Sequence, residues 1–144
     1  MMLMDDVDRG LLALLNANGR EPTASLARKL GLSRSTVQDR MARLEAQGVI
    51  GGYTIRFNPE YQSSRIRAHV MVSLNPKFAD RVSHALRQML AVKALYAISG
   101  QYDMIAIVEA DTTSSIDARL DEIGRIPGIE KTMSSIVLSN KFER

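Results

Sequence analysis

Apolar residues recur along the first third of the chain at the three-and-four spacing of amphipathic helices, and further on that spacing alternates with a strict two-residue period. Val7, Leu11, Leu14 and Leu15 predict a first helix. It begins beside Asp5, Asp6 and Asp8, where a helix N-terminus favours negative charge, and stops at Asn18-Gly19. From Thr23 to Gly48 two short helical patterns are joined across Gly31-Leu32-Ser33. Thr23 is read as the N-cap of a helix whose apolar side is Leu26, Ala27 and Leu30, and Gly31 as the left-handed residue that ends it. Ser33 caps the next helix, on which Val37, Met41 and Leu44 share a buried face while Ser35, Thr36, Gln38, Asp39 and Arg43 turn to solvent. Ala27 has almost no side chain to hold two crossing helices apart, so the pair predicts a helix-turn-helix. Its outward set is short, polar and hydrogen-bonding, which suits a DNA groove better than bulk water.

Beyond Gly48, the segment Val49 to Phe57 alternates with a two-residue period around Gly51-Gly52 and is expected to form a strand and wing. Asn58 to Ser64 is a short polar connection, and behind it the pattern changes. Arg65 to Leu74 sets Ile66, Ala68, Val70, Val72 and Leu74 on one face against Arg67, His69, Met71 and Ser73 on the other, a strand with one covered side. A helix over about 78–90 turns Val82, Leu86 and Met89 inward, and strands over 92–99 and 104–110 flank a tight turn at Gly100-Gln101-Tyr102-Asp103. A helix over 114–125 buries Ile116, Leu120 and Ile123; Pro127-Gly128 stops it, and Ile129 to Leu138 is the last strand. The expected class is therefore α+β. A winged helix-turn-helix domain (1–57) and a linker (58–64) precede a ferredoxin-like βαββαβ domain (65–144) of four antiparallel strands backed by two helices.

Composition narrows the chemistry. At 144 residues and 45% hydrophobic content the chain suffices for two small domains. It has no run of about 18 apolar residues, and the start Met1-Met2-Leu3-Met4-Asp5-Asp6 lacks the basic region and cleavage site of a signal peptide, so a cytoplasmic protein is expected. Cysteine is absent, which removes disulfides, thiolate nucleophiles and thiolate metal sites, and only His69 and His84 remain as imidazoles. No metal, cofactor or catalytic residue is expected, because no Ser-His-Asp ordering, phosphate-binding glycine loop or metal-spaced cluster is present. The net charge of +3 argues little by itself. Its distribution says more: between Arg20 and Arg56 seven basic residues face three acidic ones, a local +4 on the segment that carries the reading helix.

On that helix Ser33, Arg34, Ser35 and Thr36 lie at the N-terminus, where amides and hydroxyls hold phosphates, while Gln38 and Arg43 reach base edges or backbone; Gln38 is the expected base reader. Arg40 flanks the buried face and is expected to pair with Asp6 or Asp8. Asp39 would repel phosphate, although it could accept from a cytosine amine.

Leu32-Ser33-Arg34-Ser35-Thr36-Val37, Arg40, Arg43-Leu44-Glu45 and Gly48-Val49-Ile50-Gly51-Gly52-Tyr53 resemble the N-terminal domain of the leucine-responsive regulatory protein/AsnC family, the feast/famine regulators. Asp8-Arg9, Leu11-Leu12 and Gly19-Arg20 match its first helix. The hairpin Gly100-Gln101-Tyr102-Asp103, Pro127-Gly128-Ile129 and Thr132 to Leu138 are similar to its C-terminal regulatory domain. The resemblance runs in order over nearly the whole chain. It implies a transcription regulator that binds double-stranded DNA, dimerises through its C-terminal sheets, often assembles into octamers, and binds an amino acid or related small molecule between C-terminal domains. Two reading heads on a dimer would meet palindromic half-sites about one DNA turn apart. The pattern agrees, since a sheet covered by helices on one side leaves its other face in need of a partner; Met71, Leu95, Ala97 and Ile105 are expected to fill that face.

Gly100 permits a tight turn whose amides could receive a carboxylate while Asp103 accepts an ammonium group, a pairing that suits an amino acid; the same residues also simply build hairpins. The resemblance favours the first reading. It maps the effector site onto Gly100, Tyr102 and Asp103, with Thr132 and Ser134 on the last strand, Ser134 standing where the family usually has a second threonine. Two other functions compete with this one. A related branch, the sirohaem decarboxylases, has a similar architecture and uses histidine and arginine, which draws attention to His69 and Arg67; an intact reading helix is superfluous to such a reaction. A DNA-organising protein that needs no ligand is the other alternative.

Overall fold

Asp5 starts the first helix, α1 (Asp6–Ala17), by accepting the Asp8 N–H at 2.8 Å, while the Asp8 carboxylate accepts the Asp5 N–H at 3.3 Å. This reciprocal capping box satisfies two of the amides that a helix start leaves unpaired. The computed structural model describes residues 3–62 and 64–143 and divides the chain into the units Met1–Arg56 and Phe57–Arg144. Met1 and Met2, part of the leader reading, and Ser63 of the expected linker lie outside the described residues.

In the first unit α1 is followed by α2 (Thr23–Leu30) and α3 (Arg34–Ala46). Gly31 ends α2 in the left-handed conformation at φ 66°, and its neighbour Leu32 donates back to the Ala27 carbonyl at 2.9 Å. Thr23 is the first helical residue and not the cap. Pro22 takes the cap position at φ −59° with no side-chain hydrogen bond, and the first turn is held instead by the Ser25 hydroxyl donating to Glu21 at 2.7 Å. The core consists of Leu11, Leu26, Ala27, Val37 and Leu44, with Met41, Leu14, Leu15, Val49 and Ile50 packed around it. Each fully buried leucine contributes roughly 1.5–3 kcal/mol, so a few side chains fix how the three helices meet.

The wing expected over Val49 to Phe57 does not form a strand. The amides of Val49 and Ile50 both donate to the Leu44 carbonyl, which turns their side chains into the core, and Tyr53, Ile55 and Phe57 lie exposed beyond Gly52. An alternating segment becomes a strand only against a ladder partner, and among the described residues this unit contains no other strand.

The second unit opens with one helical turn, α4 (Pro59–Gln62), inside the segment expected to be a linker; Phe57 stacks on Tyr61 with ring centroids 5.3 Å apart. Then come β1 (Ile66–Leu74), a short 3₁₀ turn at Pro76–Phe78, α5 (Ala79–Gln88), β2 (Val92–Ala97), β3 (Met104–Ala110), α6 (Thr113–Gly124) and β4 (Ile129–Ile136). The strands form one antiparallel sheet in the order β2-β3-β1-β4, the ferredoxin-like arrangement. Its covered face sets Ala68, Val70, Val72, Leu74, Ala106 and Val108 against Val82 and Leu86 of α5 and Ile116 and Ile123 of α6.

The other face carries Met71 opposite Ile105 and Met133, His69 opposite Ile107, and Tyr96 opposite Ile105. Met133 and Tyr96 are exposed there. Leu95 and Ala97, expected on this face, lie on the covered one, opposite Ala106 and Met104. An irregularity between Val92 and Ala94 shifts the pairing, and an extra residue in a strand reverses the face of everything after it. Among the described residues no helix is long and apolar enough to cross a membrane, and no group of three or more His, Asp or Glu side chains is placed to hold a metal ion.

Candidate nucleic-acid interface and effector site

Ser33, in extended conformation at φ −75° and ψ 157°, caps α3 by accepting the Thr36 N–H at 3.2 Å. The same hydroxyl lies 2.7 Å from Thr36 Oγ1 and 3.2 Å from Ser35 Oγ, so the first turn of α3 carries a web of three hydroxyls. Arg34, Ser35 and Gln38 are exposed and Thr36 is half-buried. Arg34 and Gln38 stand four residues apart and therefore share a side of the helix. Helix amides with positive partial charge, hydroxyls, one guanidinium and one carboxamide converge here, a set able to hold a phosphate and to read a base edge.

Arg43 sits differently from the expectation. Its Nη2 donates to both oxygens of Asp8 at 2.6 Å, and Arg40 Nη1 donates to Asp8 Oδ1 at 2.9 Å and to the two oxygens of Asp5 at 2.8 and 2.7 Å. Asp8 is 1% exposed. A carboxylate buried to that degree demands compensating charge, and two arginines one turn apart on α3 supply it. The predicted pairing of Arg40 thus holds for Asp8, with Asp5 added; Asp6 instead takes Arg9 at 2.8 Å. The Asp5 carboxyl is held below the usual carboxylate range, first by the Asp8 N–H and then by Arg40, and Arg40 is raised above the ordinary arginine value by Asp5 and Asp8. Glu21 is likewise lowered, by Lys29 and then by the Ser25 hydroxyl. Tyr53 donates its hydroxyl to Glu45 at 2.7 Å, and that bond raises the phenol above its ordinary value.

In the second unit Gly100 lies at φ 119° in the bend between β2 and β3. Asp103 closes that bend: its N–H donates to the Val72 carbonyl at 2.8 Å, its carbonyl accepts the Ile98 N–H at 3.0 Å, and its Oδ2 accepts the Leu74 N–H at 2.9 Å. One carboxylate oxygen therefore serves the hairpin. Tyr102 is half-buried, with Lys131 Nζ 5.9 Å from its ring centroid. Thr132 pairs with Val72 and Ser134 with Val70, both exposed on β4, across β1 from the hairpin. Two strand spacings separate β4 from β3, about 10 Å, so within one chain the hairpin and the β4 hydroxyls flank the sheet end without touching. Arg67, weighed for catalysis beside His69, is bound to Glu109 at 2.8 and 3.0 Å.

Residues 4–45 match the model of the AsnC-type helix-turn-helix domain, and residues 67–144 match the Lrp/AsnC ligand binding domain. The chain belongs to the Lrp/AsnC family of transcription regulators. This Lrp/AsnC chain is 34% identical over 136 residues to the transcriptional regulator LysM of Sulfurisphaera tokodaii, covering 94% of itself and 95% of LysM. The structure of Escherichia coli AsnC superposes with a TM-score of 0.90 at 26% identity, over 99% of this chain and 97% of that one. The feast or famine regulatory protein of Mycobacterium tuberculosis, solved in complex with L-methionine, gives a TM-score of 0.87 at 32% identity, over 98% and 96%. Its curated relatives are regulators of transcription and not enzymes, so the decarboxylase reading falls away for the Lrp/AsnC chain.

Proposed function

We propose that this Lrp/AsnC regulator reads specific DNA sequences in the cytoplasm with the start of α3, as a homodimer or an octamer built from four dimers, and that an amino acid bound between C-terminal domains alters that reading. The observation that carries the proposal is the first turn of α3, where Ser33, Arg34, Ser35 and Thr36, with Gln38 one turn on, present neutral and cationic donors and no acidic side chain. Gln38 reads a base edge, and the others grip phosphates. Arg43 is assigned to Asp8 instead of to DNA, on the strength of its two short bonds there.

The uncovered sheet face, with Met71, Ile105, Ile107, Met133 and Tyr96, supports assembly, because a second copy can cover the same patch about a two-fold axis. For the effector, Gly100, Tyr102 and Asp103 with Thr132 and Ser134 offer amides, a free carboxylate oxygen and hydroxyls suited to a zwitterion. The M. tuberculosis relative complexed with L-methionine supports an amino acid in that role.

Fluorescence anisotropy on genomic fragments selected by the purified protein, with and without each of the twenty amino acids, tests the whole reading. Saturable binding that outcompetes scrambled duplex and changes with one amino acid is expected. Equal affinity for every duplex would overturn sequence reading, and indifference to all twenty, together with no thermal shift, would favour a ligand-independent DNA organiser. Light scattering gives the assembly; a monomer at micromolar concentration contradicts the sheet-face dimer.

A further inference from the structure

We infer that Asp8 is a positioning residue for DNA recognition: by binding Arg43 and Arg40 it withholds two of the three cations of α3 from phosphate and leaves the first turn of the helix, with Arg34 its single cation, to discriminate sequence. The inference rests on the DNA-binding reading above. α3 carries three arginines, of which Arg34 at the first turn is exposed and bonded to nothing in the described structure, while Arg40 and Arg43 are both committed to a carboxylate of α1. The side chain of Arg43 remains 45% exposed, so it lies close enough to solvent to reach a phosphate if Asp8 let go.

The charges determine the outcome. Phosphate contacts add affinity for every sequence alike and contribute a slope of about −0.9 each to the dependence of log K on log salt. A helix whose three arginines all faced the duplex would bind everything more tightly and distinguish less. With Asp8 buried at 1% exposure, opening the cluster leaves an uncompensated carboxylate inside the unit, so the arginines stay closed by necessity. Arg40 keeps Asp5 as a second partner; Arg43 has only Asp8 among the described contacts, so it is the cation that loss of the Asp8 charge sets free.

The experiment compares the wild-type chain, Asp8→Asn and Arg43→Gln, each first shown to melt cooperatively, on a selected operator and on a scrambled duplex of equal length across about 0.05–0.3 M salt. For Asp8→Asn the salt slope on both duplexes is expected to steepen by about 0.9, scrambled-duplex affinity to rise roughly three- to tenfold at about 0.1 M salt, and the operator preference to shrink accordingly. For Arg43→Gln, whose carboxamide can still donate to Asp8, slope and operator affinity are expected to stay within twofold of wild type. The inference is overturned if folded Asp8→Asn keeps the wild-type slope and preference, or if Arg43→Gln flattens the slope by about 0.9, which would make Arg43 a phosphate contact. Should Asp8→Asn not fold, the Arg43→Gln slope alone decides. A wild-type protein without operator preference would defeat the DNA-reading proposal itself, a result separate from either variant's.

Discussion

The Asp103 carboxylate holds the end of β1 by accepting the Leu74 N–H at 2.9 Å, so a residue assigned to ligand binding also ties its own hairpin to the central strand. The two roles separate by substitution. Asp103→Ala is expected to lower stability by about 1 kcal/mol, the usual worth of one such bond, and to abolish the amino-acid response while basal DNA affinity stays within twofold. Asp103→Asn keeps an oxygen for Leu74 and removes the charge, so its melting temperature should match wild type and its response should still be lost. Thermal melts and anisotropy titrations with the activating amino acid check both.

Gln38→Ala should fold normally, because the side chain is exposed, and should weaken operator binding by about 1–3 kcal/mol with no change on scrambled duplex. Arg34→Ala should weaken both duplexes to the same extent and flatten the salt slope by about 0.9. Competition binding at several salt concentrations distinguishes a base contact from a phosphate contact, and an operator-selective loss in Arg34→Ala would reverse the assignments.

Gly128 sits at φ 101°, and a β-carbon there would stand 2.8 Å from Cγ of Phe78 and 3.3 Å from Val82 Cγ2. Left-handed backbone strain of about 1–2 kcal/mol and overpacking of about 1–3 kcal/mol then add. Gly128→Ala is therefore expected to lower the stability of the C-terminal unit by at least about 2 kcal/mol in a urea titration. The nearest atom is Phe78 Cβ, which alanine keeps, so Phe78→Ala should relieve little of this cost, whereas Phe78→Gly should make Gly128→Ala cost less than in the wild-type background, and strict additivity with Phe78→Gly would contradict the packing account.

Asp5 and Glu21 are both lowered from ordinary values of 3.8 and 4.5, so the unfolded chain takes up their protons more readily than the folded one. Their contribution is complete above about pH 4.5 and is lost as the pH falls through the lower folded values. The melting temperature of the helical unit should hold from about pH 7 to about pH 5 and decline below about pH 4. Asp5→Asn should start lower at neutral pH and decline less steeply. The effect is modest, since Asp5 is half exposed and the Lys29 that pairs with the more buried Glu21 is itself largely in solvent.

Much of this was readable from local pattern. The alternation in Ile66 to Leu74, the Ser33 cap and the glycine after Leu30 each encode their own conformation within a few residues, and each is found where periodicity and capping place it. What escaped depends on partners distant in sequence. Val49 to Phe57 has the alternation of a strand and lacks a ladder mate. Leu95 lies on the face opposite to the one simple alternation predicts because one irregular residue beside Val92 changes parity, which hydrophobicity does not record. Arg43 faces solvent on a helical wheel, yet the carboxylate that claims it comes from a helix 35 residues earlier.

The three hydroxyls at the head of α3 have settled their rotamers on one another before any duplex arrives. Docking then has only Arg34 and Gln38 left to order at that turn, and no hydroxyl must be rearranged before contact. Operators of different quality should therefore capture this protein at similar speed and differ in how long they keep it, making residence time the quantity through which a promoter is graded.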